Sequence, residues 1–469
     1  MKIDISRMRS TPEGHFTTRW GLPEYTDWID ETNSWKEACY IGDWSFLWER
    51  WFEGPDALKL FSDISVNSFA KFDIGQSKHV IHCDDDGKVI HEGILSRLGA
   101  EKFMLFGRGC FWADYKLRHG NYCATSRADD WFNFQVSGPK AIYVVEKAAK
   151  QNLRDVKFMH SGKIRIAGCE LLALRQGMAG EIGFELQGPA DFSKAVYEAI
   201  LEAGREFGIR RLGGRAVFIN HLEACFPTII TDYCPALFGD KMDEYRAEFA
   251  AAMPASTVTF NIAGSFEADN ITAWYRSPVE LGWGKNVKFD HDFIGRAALE
   301  QEVANPRRLM RTLVWNADDL KDVYGSLFDE AGVPYDYWKC HATSAASCTW
   351  TRCLRTGAWS ASPPRAATAI TFAGCSRCAR STSRTANQAP RSKSSGAIQA
   401  SRRRPFAQPS RPRPTRRTIV GQISTRCRSG CRERTASRAG RDYPTHAALT
   451  RPVCSSAFAS AAGFSWWAL

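Results

Sequence analysis

Three charged side chains stand in apolar or strand-like surroundings, where charge is uncommon. Glu223 lies between Leu222 and Ala224 in the segment NHLEACF. Glu92 lies in VIHEG, and Arg108 lies in LFGRGCF. A carboxylate accepts two parallel hydrogen bonds, and the fork of a guanidinium group matches a planar carboxylate. The chemistry that these residue types offer is therefore recognition of a small polar molecule.

Each of these side chains also has a plainer interpretation. Glu223 could be an ordinary or ion-paired glutamate, Glu92 a solvated strand residue, and Arg108 half of a surface salt bridge. His91 points to the opposite face from Glu92 if the segment is a strand, so it is interpreted as a bystander. The sequence alone leaves these alternatives open.

The elements that position these residues follow from the hydrophobic pattern. The β-rich runs KHVIHCDD, GKVIHEGILSRL and KFMLFGRG are parted by polar links and predict an antiparallel meander. The stretch GPDALKLFSDISVN, with Leu58, Phe61 and Ile64 at helical spacing, predicts a short amphipathic helix. Asp191 is predicted to cap a later helix that Gly208 ends. Helices and strands mix without a βαβ rhythm, which predicts an α+β fold.

Charge and composition exclude several classes of protein. The net charge of the 469 residues is +11, but residues 341–469 contribute +20 and residues 1–340 contribute −9. A nucleic-acid interaction would therefore rest on the tail alone, and none is expected. No 18-residue apolar run or secretory leader is seen, so a cytoplasmic protein without a membrane partner is expected. Seven scattered cysteines precede residue 340 without a CxxC pair, which predicts reduced thiols and no metal site.

The chain changes character from Cys340 onward. Periodicity is lost, Arg, Ser, Pro and Ala dominate, and eight cysteines occur in a segment with only two acidic residues. A disordered basic tail would rarely carry so many cysteines. Codons can be chosen for residues 349–382 and for residues 392–410 so that the reading frame starting at each codon's third base encodes a strand-like sequence. The same frame shift serves both segments. We interpret residues 341–469 as an out-of-frame tail, with the shift between Lys339 and Thr349.

Five segments, in order, resemble the aminomethyltransferase family typified by the glycine-cleavage T protein. They are GDWSFLWERWFEGPDALKLF, GKVIHEGILSRL, RQGMAGEIGFELQGP, GGRAVFINHLEACFP and SPVELGWGKNVKFDHDFIGRAAL. The third and fifth are the most specific because they are long and punctuated by glycine. The segment KFDHDFIGR is most similar to the bacterial branch that removes O-methyl groups from aromatic acids with tetrahydrofolate.

The resemblance implies a multi-domain cloverleaf around a folate channel and assigns roles to particular residues. Glu223 would bind the pterin edge of tetrahydrofolate, and Glu92 would lie beside the reacting N5 as the catalytic carboxylate. Arg108 would hold the carboxylate of the donor. Tyr275 and Trp283 could line the cofactor site, although aromatic residues in such apolar motifs are more often core.

The resemblance also implies the domain organisation and the function. Residues 1–340 would form an aminomethyltransferase-like folate-binding region of two interleaved α+β domains. The frameshifted tail, 341–469, would stand in place of a third, β-barrel domain, and an inactive chain is therefore one expected outcome. The expected activity is tetrahydrofolate-dependent methyl transfer from a small-molecule donor such as a methoxy-aromatic acid. The oligomeric state stays open.

This chain departs from the demethylase sequence pattern at several positions, so alternative functions stay open. Vanillate-type demethylases show a Gln-Thr-His-His run where this chain has residues 44–47, WSFL, and Phe16 and Thr18 stand where they have paired tyrosines. One alternative is aminomethyl transfer in glycine cleavage. Another is a non-catalytic folate-binding factor for iron–sulfur assembly, but its KGCxxGQE motif is replaced here by HDFIGRAAL.

Overall fold

A computed structural model describes most of the first 310 residues. The described residues are 20–229, 232–252, 261–263, 268–310, 317–329, 335, 347–349, 399–401 and 418–420. All of them belong to the first of two units of the chain, Met1–Ser424, and the second unit, Thr425–Leu469, lies outside them. No helix in these described ranges is long and apolar enough to cross a membrane.

Helices and short strands alternate along the described chain. The helices are α1 (Trp28–Glu37), α2 (Ala57–Ile64), α3 (Gly109–Arg118), α4 (Ala141–Ala149), α5 (Ser193–Gly204), α6 (Gly214–Glu223), α7 (Asp243–Ala252), α8 (Arg296–Ala304) and α9 (Ala317–Gly325). The first strands are β1 (Cys39–Asp43), β2 (Glu49–Glu53), β3 (Ser77–Cys83), β4 (Val89–Arg97), β5 (Lys102–Phe106), β6 (Thr125–Arg127) and β7 (Trp131–Ser137). The others are β8 (Ser161–Ile166), β9 (Cys169–Leu174), β10 (Gly183–Pro189), β11 (Ile209–Arg211), β12 (Asn261–Ala263), β13 (Ser347–Thr349), β14 (Gln399–Ser401) and β15 (Thr418–Val420). This mixture confirms the predicted α+β class.

The first sheet carries Glu92 and has five antiparallel strands in the order β3-β4-β5-β2-β6. Its consecutive strands β3, β4 and β5 are the meander that the sequence predicts. Phe52, Phe61 and Phe103 pack together inside it, with ring centroids 5.0 and 5.8 Å apart. Each such buried phenylalanine contributes about 1.5–3 kcal/mol, so this core holds the sheet rigidly.

The second sheet has six strands in the order β11-β1-β7-β10-β9-β8. Only the β1–β11 pair is parallel, and the other neighbours are antiparallel. Helices α4 and α5 share its core, where Val144 and Val196 are buried with Val136 and Phe184. The chain thus leaves this sheet after β1, builds the five-stranded sheet, and returns with β7.

Local expectations for the helices are met in part. Helix α2 buries Phe61 and Ile64 as predicted, but Leu60 takes the fully buried place while Leu58 packs at the edge. Asp191 does not cap α5. It lies in the 3-10 turn Ala190–Phe192, and α5 therefore begins at Ser193, one residue later than a cap at Asp191 would place it.

Residues 20–51 contain six tryptophans, and this segment packs on the body. Trp35, Trp44 and Trp51 are buried. Trp44 belongs to an aromatic cluster with the partly buried Trp20 and Phe46. Within the segment that departs from the demethylase pattern, Trp44 is therefore core, whereas Phe16 and Thr18 lie outside the described residues.

Little of the predicted tail can be compared with the structure. Residues 341–469 are described only at the three-residue strands β13, β14 and β15, of which β13 pairs with β12 and β14 pairs with β15. The rest of the proposed out-of-frame tail lies outside the described residues. The frameshift and the missing third domain stay predictions.

Candidate functional site

Glu92 occupies the middle of β4 and faces a histidine on the neighbouring strand. Its register partner is Ile81, and His79, two residues before Ile81, therefore lies diagonally on the same face of the sheet. The Nε2 atom of His79 is 3.0 Å from Oε2 of Glu92. The catalytic carboxylate predicted from the sequence is thus a hydrogen-bonded strand residue, not a freely solvated one.

His79 is enclosed by two aromatic side chains and an amide. Its ring centroid lies 4.9 Å from that of Trp283 and 5.6 Å from that of Phe226. The Nδ2 atom of Asn286 lies 3.4 Å from its Nδ1. Trp283, predicted to line a cofactor site, is therefore brought to Glu92 through His79.

Arg108 is brought to the same region by a tight turn between β5 and α3. Gly107 has a φ of +107°, and a Cβ atom there would lie 3.0 Å from the carbonyl oxygen of Glu92. Glycine permits both the left-handed backbone and this close approach. The Cζ atom of Arg108 lies 5.9 Å from the ring centroid of Trp48. Arg108 thus leaves the sheet beside Glu92 and against an aromatic face.

Tyr233 links the two charged groups. Burial raises the pKa of Tyr233 well above its ordinary value, the Glu92 carboxylate raises it further, and the Arg108 guanidinium lowers it. Its ring centroid lies 6.0 Å from that of Trp283. Both predicted charges therefore act on one buried phenol, which sequence reasoning did not single out.

His221 is a second residue that sequence reasoning missed. Burial lowers the pKa of His221 to about 4, against the opposing effect of the Glu92 carboxylate. Its Nδ1 is 2.9 Å from Oγ1 of Thr228. Within the described part of the chain, its Nε2 and the hydroxyl of Tyr233 are buried without a hydrogen-bond partner. Buried polar atoms of this kind call for a partner from a ligand or water.

We call Glu92, His79, His221, Tyr233 and Trp283 the Glu92 cluster. It joins β3, β4, helix α6 and the segments that follow α6 and precede α8. One carboxyl group lies among imidazole, phenol and indole groups. Such a set can orient a polar heterocycle and hold a proton at the carboxylate.

Glu223 lies on α6 but is engaged with α1. The indole Nε1 of Trp35 donates to its Oε2 and the Nζ of Lys36 donates to its Oε1, both at 2.8 Å, and its side chain is 7% exposed. This geometry matches the ion-paired alternative. Glu223 follows His221 by two positions, so the two side chains leave the helix about 200° apart. The pterin-binding role of Glu223 stays a prediction.

Tyr275 is held by a backbone contact. Its hydroxyl accepts a hydrogen bond of 3.0 Å from the amide of Phe238, and its strand-like backbone bridges to Cys234. It is buried. These contacts match the interpretation of Tyr275 as a core residue. A direct part of Tyr275 in cofactor binding stays a prediction.

His91 faces away from Glu92, as strand alternation predicts. It is paired across the sheet with His82, and both rings are fully buried. Burial lowers the pKa of His82 to about 3 and that of His91 well below its ordinary value. Among the described residues, none donates to or accepts from their ring nitrogens. The pair lies behind the Glu92 face of the sheet.

A second buried carboxylate lies in the six-stranded sheet. Gln135 and Gln187 donate to the two oxygens of Glu185, each at 3.4 Å, and Tyr40 donates to Gln135. Burial raises the pKa of Glu185 to about 7, although the neighbouring amides oppose this. The signal in the sequence was polar residues at inward positions of the apolar strands FNFQVS and GFELQG.

One exposed group among the described residues has the geometry of a metal site. Ligand atoms of His119, Glu244 and Glu248 lie within 4.8 Å of one another. Glu248 also pairs with Arg118 at 2.6 Å, which supplies the positive charge that a cation would bring. The cluster has the character of a solvated ion-pair network.

Known proteins match the region that contains most of the Glu92 cluster. The GCVT N-terminal domain family matches residues 15–237. Syringate O-demethylase from a Sphingobium species is 33% identical over 328 residues, covering 66% of this chain and 70% of that protein. The chain belongs to the GCVT family. The recognition based on five sequence motifs is thereby confirmed.

Other relatives of this GCVT-family chain act as transferases. Sesamin methylene transferase from a Sinomonas species is 31% identical over 331 residues, covering 67% of this chain and 70% of that protein. An aminomethyltransferase from Halothermothrix orenii is 28% identical over 287 residues, covering 60% of this chain and 70% of that protein. The GCVT match includes every member of the Glu92 cluster except Trp283.

Proposed function

We propose that this GCVT-family chain transfers a methyl group from a small carboxylated donor, such as a methoxy-aromatic acid, to N5 of tetrahydrofolate. The observation that carries the proposal is that Glu92, hydrogen-bonded to His79 at 3.0 Å, lies beside the tight turn at Gly107 from which Arg108 extends. The identity with syringate O-demethylase supports the donor class. The chain is proposed to work as a cytoplasmic enzyme.

The residues of the Glu92 cluster fit a folate. The unpartnered Nε2 of His221 and hydroxyl of Tyr233 are buried polar atoms that a polar heterocycle would satisfy. Trp283 adds an aromatic edge at the same place. The donor would lie between this cluster and Arg108, whose guanidinium fork recognises a planar carboxylate.

The proposed chemistry assigns one task to each charged residue. Tetrahydrofolate, when bound, supplies an N5 amine that takes the methyl carbon from the donor oxygen and loses the proton that this oxygen takes up. Glu92 holds that proton at Oε1, because Oε2 is already bonded to His79. Arg108 aligns the donor, and alignment accounts for much of the rate in a displacement at carbon.

Two further assignments belong to this proposal. Glu223 would contact the pterin edge of tetrahydrofolate, as the family resemblance implies. Tyr275 would act indirectly, by holding the backbone at Phe238. Both are carried by the family resemblance and not by contacts in the structure.

Transfer of a methylene or aminomethyl group is the second candidate. The similarity to sesamin methylene transferase and to aminomethyltransferases supports it. The two reactions leave different products, because methyl transfer yields methyl-tetrahydrofolate and the alternative yields methylene-tetrahydrofolate. A mass measurement of the folate product separates them.

The test is incubation of the purified chain with tetrahydrofolate and a panel of donors. The panel contains methoxy-aromatic acids, methylenedioxy-aromatics, dimethylsulfonio compounds and methylamines. Folate binding is measured in parallel by titration. Methyl-tetrahydrofolate together with a phenolic acid product is expected. Absence of folate binding would overturn the proposal.

A further inference from the structure

The contact between His79 and Glu92 gives Glu92 a defined orientation. We propose that His79 is a positioning residue that acts through Glu92, an inference that rests on the proposed function. It directs one carboxylate oxygen away from the reaction and leaves the other to hold the proton. His79 itself would touch neither the donor nor the reacting carbon.

The hydrogen bonds determine which ring nitrogen carries the proton. An amide nitrogen only donates, so the Nδ1 of His79 accepts from Nδ2 of Asn286, 3.4 Å away. The proton of the neutral imidazole is therefore on Nε2. That nitrogen donates to Oε2 of Glu92 at 3.0 Å. Asn286 and Glu92 together thus select one tautomer of His79.

Packing holds the ring in this orientation. Trp283 meets the imidazole edge-on at an interplanar angle of 79°, and Phe226 packs on it at 54°. The side chains of His79 and Glu92 are only 15% and 23% exposed. Little water competes for the hydrogen bond, so the bond is stronger than it would be on the surface.

The consequence is a division of work between the two oxygens of Glu92. A donor on Oε2 stabilises the carboxylate anion and restricts its rotation. Loss of that donor leaves a carboxylate that turns and accepts the proton from a poorer geometry. Losing a hydrogen bond to a charged group typically costs about 10- to 100-fold in the step that depends on it.

The experiment compares His79→Phe, which removes the donor, with His79→Gln, which keeps an N–H near the position of Nε2. The first readout is the spectrum of the ¹⁵N-labelled histidines in the folate-free full chain near pH 8. We expect one pair of ring-nitrogen resonances in which Nε2 is protonated and Nδ1 is not. This pair should be absent from His79→Phe and from His79→Gln, and it should shift in Glu92→Gln. A pair with the proton on Nδ1 would overturn the proposal.

The second readout is the single-turnover rate of methyl transfer. His79→Phe is expected to slow it about 10- to 100-fold, His79→Gln less than 5-fold, and His79→Phe added to Glu92→Gln not at all. The matched control is His119→Phe. This variant breaks a similar pair, His119 with Glu248 at 2.8 Å, on the surface, and it should change neither readout.

Failure of this inference can be told apart from failure of the proposed function. If the unmodified chain binds no folate and turns over no donor, the proposed function fails, and the spectra still decide the pairing of His79. If the unmodified chain is active, an equal loss from His79→Phe with and without Glu92→Gln would show that His79 acts independently. That result would overturn its positioning role.

Discussion

The opposing charges of Glu92 and Arg108 lie close enough to act on one phenol, although 16 positions separate them in the chain. A left-handed turn at Gly107 makes this possible. The carboxylate is fixed by His79, while Arg108 lies against the face of Trp48. This asymmetry fits a site in which one charged residue handles a proton and the other orients the donor.

Arg108→Ala is expected to raise the Michaelis constant for a carboxylated donor about 10- to 100-fold and to leave folate affinity unchanged. The removed fork binds the donor carboxylate equally in the ground and transition states. Steady-state kinetics with a methoxy-aromatic acid and with its methyl ester check this. Equal losses for the acid and the ester, or weaker folate binding, would remove Arg108 from the donor site.

Glu223→Ala is expected to weaken tetrahydrofolate binding about 10- to 150-fold, the cost of a lost charge-assisted hydrogen bond. The same change unties α6 from α1, so thermal stability must be recorded beside the titration. Lys36→Met is the control, because it removes one partner of Glu223 and keeps the carboxylate. Unchanged folate affinity in the folded fraction would leave Glu223 as an anchor of α6 only.

Residue types and motifs led to Glu92, Arg108 and Trp283 as candidates, whose roles stay predictions, but they did not indicate the partners of these residues. The pairing of His79 with Glu92 depends on the register of β3 and β4, which local sequence does not specify. Glu223 bonds to Trp35 and Lys36, which lie 188 and 187 positions away. Contacts at such separation arise only from tertiary packing.

Elements whose pattern is local were predicted well. The meander of β3, β4 and β5 follows from alternation between polar links, and α2 follows from helical spacing. The start of α5 was wrong because a 3-10 turn precedes it. The neighbours of β1, namely β7 and β11, were not predictable from periodicity since they come from distant parts of the chain.

The buried carboxylate of β10 predicts how stability depends on pH. Glu185 has a pKa of about 7 in the fold, against an ordinary value of 4.5. The folded chain therefore retains a proton that the unfolded chain releases, and the free energy of unfolding should fall by roughly 3 kcal/mol as the pH rises from about 4.5 to 7. Denaturant titrations across this range check the slope.

Glu185→Gln is expected to reduce that slope by the share of Glu185, because the amide has no proton to lose. Some slope remains, because burial also raises the pKa of Glu49 and of Asp232 to about 7 and that of Asp84 to about 6. Glu198→Gln, a change of an exposed glutamate on α5, is the matched control and should keep the whole slope. If the wild-type chain and the Glu185→Gln variant lost stability in parallel over this range, another group would be responsible.

The whole molecule combines an acidic body with a basic tail. Residues 1–340 carry −9 and residues 341–469 carry +20. Attraction between solvated charges is screened within about 10 Å at ordinary salt and does not replace a buried apolar face. We propose that the tail is out of frame and does not supply the third domain of the family.

Limited proteolysis is expected to remove the tail and leave a stable fragment close to residues 1–340. The tail has only two acidic groups, nine prolines and no sustained periodicity. It therefore buries too little apolar surface to offset an ordering cost of about 1–2 kcal/mol per residue. Resequencing the gene around codons 339–349 checks the frame. An intact frame together with a protease-resistant domain from 341 to 469 would contradict both claims.

The interleaving of the two sheets has a consequence for synthesis on the ribosome. Strands β2 to β6 are complete by residue 127, so the sheet that holds Glu92 has all its strands early. Strand β1 must wait for β11, whose register begins at Ile209, and His79 must wait for Asn286. At about 5–20 residues per second, roughly 10–40 s separate the emergence of Glu92 from that of Asn286. Until β11 has emerged, the nascent chain exposes an unpaired edge of β1, which is the segment where we expect a chaperone to bind first.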